Sequence, residues 1–280
     1  MATMEITTMV GCPLVCTFCP QNQLKAAYVE SSDRYMSLDS FQVILSKIPK
    51  HVRIDFSGMA EPWANPHTTQ FLETTLQQGY RIAIYTTLYQ MTVADSLYIT
   101  TELLPKHKNL VDVICLHLPD DAMNMRGFKN SPEYQEVLKN FVEMSKKGLF
   151  PFQCMTMDKT GHVHRDLQQS LPALFQFVGH SRAGSLTQIE KVGALLPPKN
   201  DFALGCASTP VYDHNVVLPN GDVVLCCMDY SLKHVIGNLL RSEYQDLFTS
   251  PEMQRIYQEN RKTGFSEQTI CRSCENVIKI

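Results

Sequence analysis

Gly11-Cys12-Pro13-Leu14-Val15-Cys16-Thr17-Phe18-Cys19-Pro20 puts three thiols on one tight loop, directly after an apolar stretch, Met4 to Val10, that reads as a strand. The spacing is Cys-x3-Cys-x2-Cys. Three thiolates ligate three corners of a 4Fe–4S cluster and leave the fourth iron open. An open iron binds a small chelating molecule, which makes such a loop a reaction centre. A zinc knuckle or a disulfide loop are the alternatives. Zinc asks for a fourth Cys or His to close a tetrahedron, and none lies within the next thirty residues.

Outward from that loop, the chain to about residue 190 alternates two textures. Short apolar, β-branched runs lie at Met4–Val10, Val52–Phe56, Arg81–Tyr85, Val111–Leu118 and Phe152–Met157. Between them, Leu38–Lys47, Thr68–Gln78, Thr92–Leu103, Pro132–Lys147 and Arg165–Phe177 carry helical spacing. Asp39, Thr92 and Ser131 read as helix starts, and Gly79 and Gly148 as stops. The β-α-β-α rhythm predicts an α/β fold, a parallel sheet buried on both faces with helices outside. The pattern alone leaves an open doubly wound sheet and a partial barrel both standing.

After residue 190 the texture changes. Leu195-Leu196-Pro197-Pro198-Lys199-Asn200 reads as a linker, which divides the chain into residues 1–192 and 193–280. Pro219-Asn220-Gly221-Asp222 separates Val216–Leu218 from Val223–Leu225, a hairpin signal. Ser250–Gln258 reads as one helix, followed by Cys271 and Cys274.

Composition sets the outer limits. The 280 residues are 44% hydrophobic and 19% charged, with a net charge of −3 and ten cysteines. Such a chain builds a sizeable core. It lacks the basic patch of a nucleic-acid or membrane-surface binder, and no apolar run reaches the roughly 18 residues of a membrane span. With no export signal visible, the cysteines point to reduced thiols used for metal in the cytoplasm rather than to a disulfide framework.

The Cys12–Cys19 loop, with Phe18 before the third cysteine, resembles the cluster loop of the radical S-adenosylmethionine (radical SAM) enzymes. The resemblance implies a partial (β/α)6 barrel over residues 1–192. It also implies that SAM binds the open iron through its amino and carboxylate groups and is cleaved to a 5′-deoxyadenosyl radical, which abstracts hydrogen from substrate. Asp55-Phe56-Ser57-Gly58-Met59-Ala60-Glu61-Pro62 resembles the family's Gly-Gly-Glu-Pro motif, which holds the SAM amino group. Glu61 is the acidic member, with Gly58, Met59 and Ala60 as its backbone. Ala60 departs from the family's glycine and would not take a positive φ cheaply; either its φ is ordinary or the pocket is reshaped. Thr86 and Thr87 stand where a hydroxyl faces the SAM ribose or carboxylate, with a β-branched strand end as the alternative. His117 ends the fourth strand, at the mouth of a barrel, or is a half-buried structural histidine. Cys115 and Cys154 read as core. Ser181-Arg182-Ala183-Gly184 resembles a stretch of relatives with a second cluster, where Arg182 would pair with the SAM carboxylate or a substrate oxygen.

Cys206-x14-Gly221-x4-Cys226 resembles the opening of the SPASM and "twitch" auxiliary-cluster domains. Cys271 and Cys274 complete four thiolates, enough for a fully ligated 4Fe–4S cluster on a hairpin-plus-helix domain. Cys227, beside Cys226, is the ambiguous member, and a structural zinc site is the alternative. The cofactors implied are two clusters and SAM. A fully ligated cluster suits electron acceptance, so the expected activity is oxidation of a small sugar- or cyclitol-like molecule, with Arg182 or His117 aiding deprotonation. Modification of a ribosomal peptide is the enzymatic alternative, lowered because the first strand begins near residue 4, where peptide-modifying relatives carry a recognition domain. An iron–sulfur electron carrier is the alternative from another class. A flavodoxin or ferredoxin is the electron donor the family leads one to expect.

Overall fold

The computed structural model describes residues 1–28, 33–156, 162–167, 171, 174–176, 180–189 and 193–280. Strands β1 (Thr3–Ile6), β2 (Arg53–Phe56), β3 (Ile82–Thr86), β4 (Val111–Leu118), β5 (Phe152–Thr156) and β6 (Leu174–Gln176) lie side by side in chain order, every neighbouring pair parallel. On the other edge of β1 lies β7 (His214–Val217), also parallel, followed by antiparallel β8 (Asp222–Val224) and β9 (Val235–Asn238). The result is one nine-stranded sheet, β9-β8-β7-β1-β2-β3-β4-β5-β6. The C-terminal hairpin therefore continues the sheet of the N-terminal half.

Helices α1 (Gln21–Ala27), α2 (Leu38–Lys47), α3 (Thr68–Gln77), α4 (Val93–Tyr98) and α5 (Pro132–Ser145) fall within the crossovers, and α6 (Pro251–Arg261) follows β9. Their starts are local chemistry. Ser131 Oγ accepts the N–H of Tyr134 at 3.2 Å, a cap worth about 1 kcal/mol. Ser37, not Asp39, caps α2; Asp39 sits in its first turn, where a carboxylate suits the positive end of the helix dipole. The segment read as a Thr92–Leu103 helix passes from α4 into a π-type turn over Ile99–Leu103.

The Arg165–Phe177 reading is corrected: the described residues there form a short 3-10 turn, Arg165–Leu167, and the strand β6, while 168–170, 172, 173 and 177 lie outside them. Leu174-Phe175-Gln176 pairs with β5 from Cys154 to Thr156. Sheet pairing overrode a helical apolar spacing, which short apolar runs do not distinguish from a strand.

Strand parity explains where the site must lie. Met4, Ile6, Ile54, Phe56, Ile82, Ile84, Ile114 and Leu116 join Phe41, Phe71, Val137 and Phe141 of the helices in one apolar core. The alternate residues point the other way. These are Glu5, Arg53, Asp55, Tyr85, Cys115 and His117, matched across the sheet as Glu5↔Asp55 and Tyr85↔Cys115. Both faces are largely buried, as expected, but the inner face is polar. Cys154 belongs to the apolar core; Cys115 is buried on the inner parity instead.

Candidate active site

The cysteine loop hangs off the end of β1 and is pinned from outside. Val15-Cys16 pairs antiparallel with Met125-Arg126. Thr17 donates through its N–H and its hydroxyl to Asn124, at 2.9 and 3.0 Å. Cys12, Cys16 and Cys19 then line one cleft together with Phe18 and the 57–61 loop. Burial pushes the Cys12 thiol up to about 11, opposed by the backbone N–H of Glu61, which lies 3.5 Å from the sulfur. Burial first, and then its two sister sulfurs, push Cys16 well above the usual thiol range. Three half-buried sulfurs on one loop suit a metal, which supplies the positive charge that makes thiolates stable.

The 57–61 loop is shaped by β1. Gly58 has φ +73°, and a Cβ there would lie 2.4 Å from Thr7 Oγ1, so this position requires glycine. Thr7 Oγ1 accepts the Met59 N–H at 3.0 Å, and Met59 O accepts Gln21 Nε2 at 2.5 Å. Glu5 accepts Ser57 Oγ at 2.9 Å and the Gly58 N–H at 3.1 Å. Ala60 is absent from the residues with positive φ; alanine replaces glycine because its conformation is ordinary.

Glu61 is turned inward. Its Oε1 accepts Thr86 Oγ1 (2.5 Å) and Trp63 N (3.2 Å), and its Oε2 accepts Thr87 N (2.7 Å) and Thr87 Oγ1 (2.6 Å). Burial raises its pKa, and those donors pull it back. This corrects the expectation of a free acceptor and free hydroxyls. The Glu61 carboxylate is saturated by the chain's own donors, and Thr86 and Thr87 spend their hydroxyl protons on it. Glu61, Thr86 and Thr87 all line the cleft, but their side chains lock the ends of β2 and β3 together.

Arg182 and His117 face the same cleft. Arg182 and Ala183 hold φ of +50° and +51°, ahead of Gly184 at +87°. Two non-glycine residues in this region are costly unless their surroundings hold them there. Here Ser181 N–H donates to Glu275 at 2.6 Å, and Ser181 Oγ accepts Gly184 N–H at 3.0 Å. The guanidinium lies 5.8 Å from the centre of the Tyr230 ring, and its Nε is buried without a partner. Burial, then Arg182, pushes His117 down to about 4, so its imidazole is neutral at pH 7; its ring is 6.4 Å from that of Tyr85. Deeper on this face, Arg53 binds Asp55 through two bonds of 2.6 and 2.7 Å. Burial still lifts Asp55 to about 6.

A second, smaller cavity is lined by Cys206, Cys226, Cys271 and Cys274, with Leu225, Ile270 and Val277 as apolar walls. Cys206 sits opposite Val277 in a small antiparallel pair. The supposed linker contributes directly: Asn200 Nδ2 donates to the carbonyls of Cys271 (3.2 Å) and Cys274 (3.0 Å). Between those cysteines Arg272 is fully buried, its guanidinium donating to four carbonyls, those of Asn200, Phe202, Glu259 and Lys262. Cys227 lies elsewhere. It packs, with Cys19, against the apolar group of Val10, Leu24, Met59 and Tyr230, and it hydrogen-bonds Glu5. All ten cysteines are free. Among the described residues no three His, Cys, Asp or Glu side chains close on a single-ion site. A single zinc needs sulfurs about 2.3 Å from one point, whereas a cubane spreads its ligands over four iron corners.

The sequence reading missed Gln21, Tyr85, Asn200 and Tyr230. Glu5 was also missed, although a carboxylate in the middle of an apolar strand is a readable signal that it faces something polar.

Residues 206–275 match the SPASM family, described as an iron–sulfur cluster-binding domain. Over the whole chain, the fold is similar to BtrN in complex with AdoMet and 2-DOIA: TM-score 0.61, 17% identity, covering 100% of this chain and 94% of that one. It is similar too to anSMEcpe with bound AdoMet and Kp18Cys peptide: TM-score 0.55, 13% identity, covering 98% and 88%. In sequence, 134 residues are 25% identical to a probable dual-specificity RNA methyltransferase RlmN of Trichormus variabilis. That match spans 47% of this chain and 36% of that relative. Among the described residues no helix is long and apolar enough to cross a membrane.

Proposed function

We propose that this chain, a radical SAM protein by its fold with a SPASM iron–sulfur domain at residues 206–275, abstracts hydrogen from a small polar, sugar- or cyclitol-like substrate and oxidises it. Cys12, Cys16 and Cys19 would hold a cluster with one open iron, and Cys206, Cys226, Cys271 and Cys274 a fully ligated one. When bound, the first cluster and SAM supply hydrogen-atom abstraction, and the second cluster supplies a one-electron acceptor. The residues of the chain do the rest.

The observation that carries this reading is the convergence, in one cleft, of the three thiols, the 57–61 loop, Arg182 and His117. Glu5, Thr7 and Gln21 bind the Gly58 N–H, the Met59 N–H and the Met59 C=O, and so fix the course of the loop along the cleft. Arg182, with a buried and unpartnered Nε, is poised for a carboxylate or alkoxide oxygen, which a planar guanidinium grips better than an ammonium does. Converting an alcohol to a ketone removes a hydrogen atom from carbon, a proton from oxygen and one electron. Neutral His117 has a free ring nitrogen for that proton, and Arg182 stabilises the oxygen as negative charge develops. Ser57, Tyr85, His117 and Arg182 give the cleft wall polar groups for a hydroxyl-rich molecule. A reduced flavodoxin- or ferredoxin-type donor would deliver the priming electron.

The experiment is anaerobic reconstitution with iron and sulfide counts, followed by a reduced-state SAM cleavage assay over panels of aminocyclitols, sugars and peptides. Two cubanes require about eight irons, falling to about four in a Cys12/Cys16/Cys19→Ala variant. About four irons with zinc in the wild type would remove the proposed electron acceptor. Turnover of peptides alone would favour peptide modification, and an intact SAM pool under reduction would favour an electron carrier.

A further inference from the structure

Cys19 receives a hydrogen bond that its own loop does not supply. Tyr230, four residues beyond Cys226, places its hydroxyl 3.2 Å from Cys19 Sγ. Gln21 Nε2 lies 3.3 Å from the same sulfur, but its shorter bond, 2.5 Å, goes to Met59 O. A metal-bound sulfur is a thiolate and has no proton to give, so in the loaded protein the phenol is the donor.

Tyr230 is held in place for this contact. It is 3% exposed and packs with Val10, Leu24 and Met59. Its turn is closed by Asp229 N–H to Cys226 O at 3.1 Å and Leu232 N–H to Asp229 O at 3.2 Å. The Asp229 carboxylate accepts Ser231 Oγ, Lys233 N and His234 N, at 2.9, 3.0 and 2.7 Å. One short turn thus starts at a cysteine of the C-terminal cavity and ends on a cysteine of the N-terminal cleft.

We propose that Tyr230 is a positioning residue for the N-terminal cluster: its O–H···S bond orients Cys19 and raises that cluster's reduction potential, so the C-terminal half completes the N-terminal centre. This rests on Cys12, Cys16 and Cys19 being cluster ligands. Reduction adds negative charge to the cluster and its sulfurs, and a donor aimed at a ligand sulfur stabilises the reduced form more than the oxidised one. No charge changes at Tyr230, so the effect is local to the cluster it touches.

The test is Tyr230→Phe in the reconstituted full chain, with both midpoints read by redox titration followed by electron paramagnetic resonance. The expected result is wild-type iron content, a lower midpoint for the N-terminal cluster and an unmoved midpoint for the C-terminal one. An unmoved N-terminal midpoint, or an equal shift of both clusters, overturns the proposal. If the phenylalanine variant fails to take up iron, 3,5-difluorotyrosine at position 230 keeps the ring and strengthens the donor. The N-terminal midpoint should then rise, and no change overturns the proposal. Iron counts separate the two failures. Wild-type protein that loads no iron on Cys12, Cys16 and Cys19 removes both this role and the proposed activity; loaded protein with an unmoved midpoint removes this role alone.

Discussion

Cys226 and Cys227 are neighbours in the chain and face opposite centres: Cys226 lines the C-terminal cavity, while Cys227 hydrogen-bonds Glu5 and packs on the same apolar group as Cys19. Both lie just past β8, where the chain enters the turn closed by Asp229 N–H to Cys226 O at 3.1 Å. Serine at position 226 should therefore cost the C-terminal cluster, about four irons, with the N-terminal cluster retained. Serine at 227 should leave the iron count unchanged. Iron and sulfide analysis of the two variants checks this, and the reverse pattern would assign the ligand to Cys227.

Glu61→Gln should destabilise the fold by about 2–4 kcal/mol in chemical denaturation, because buried donors lose their acceptor. Each carboxylate oxygen takes one backbone N–H, from Trp63 or Thr87, and a backbone N–H cannot turn away from an amide NH2. Either orientation of the glutamine therefore sets a donor against a donor. Thr86→Val, which removes one hydroxyl, should cost only about 1 kcal/mol.

His117 makes acid destabilising. Its folded pKa of about 4 lies below the ordinary 6.5, so between those values the unfolded chain binds more protons than the folded one. Stability is then fully present above pH 6.5 and falls as pH drops towards 4, by at most about 3 kcal/mol. The groups facing the ring are Arg182, which opposes a second positive charge, and Tyr85. Urea melts of wild type and His117→Gln over pH 4–7 should show a flatter profile in the variant, and parallel profiles would remove the assignment.

Asn200→Ala should loosen the C-terminal cluster. Its side-chain amide bridges the carbonyls of Cys271 and Cys274, and losing both bonds costs about 2 kcal/mol. Faster release of the C-terminal irons to a chelator is the expected result, with the N-terminal irons unaffected. Arg272→Met should be more severe, since four buried carbonyls then lose their donors.

Much of this architecture was readable because it rests on local chemistry. The bounds of Leu38–Lys47 and Val111–Leu118 follow from apolar periodicity, and the cysteine spacings placed both thiol sets. The turn at Gly221 was readable for the same reason; its φ is +84°, and a Cβ would meet Leu240 at 2.5 Å. What escaped is non-local. Tyr230 meets Cys19 across 211 residues, and nothing near either one announces the other. Asn200 looked like linker because a Pro-Pro-Lys-Asn run carries no apolar signal, yet its work is done by one buried amide. The inner face was misjudged for another reason: in strands this short, a single Glu or Asp among β-branched residues still leaves an apolar average.

The sheet also sets an order of events during synthesis. β1 pairs with β7, Thr3 opposite His214, so one edge of the first strand stays unsatisfied until more than two hundred further residues have left the ribosome. An open strand edge of Thr3-Met4-Glu5-Ile6 is a template for pairing with another chain, and closing such a distant contact is slow. Its charged glutamate is the one residue that discourages intermolecular pairing in that interval. In the finished protein the same glutamate binds the Ser57-Gly58 turn.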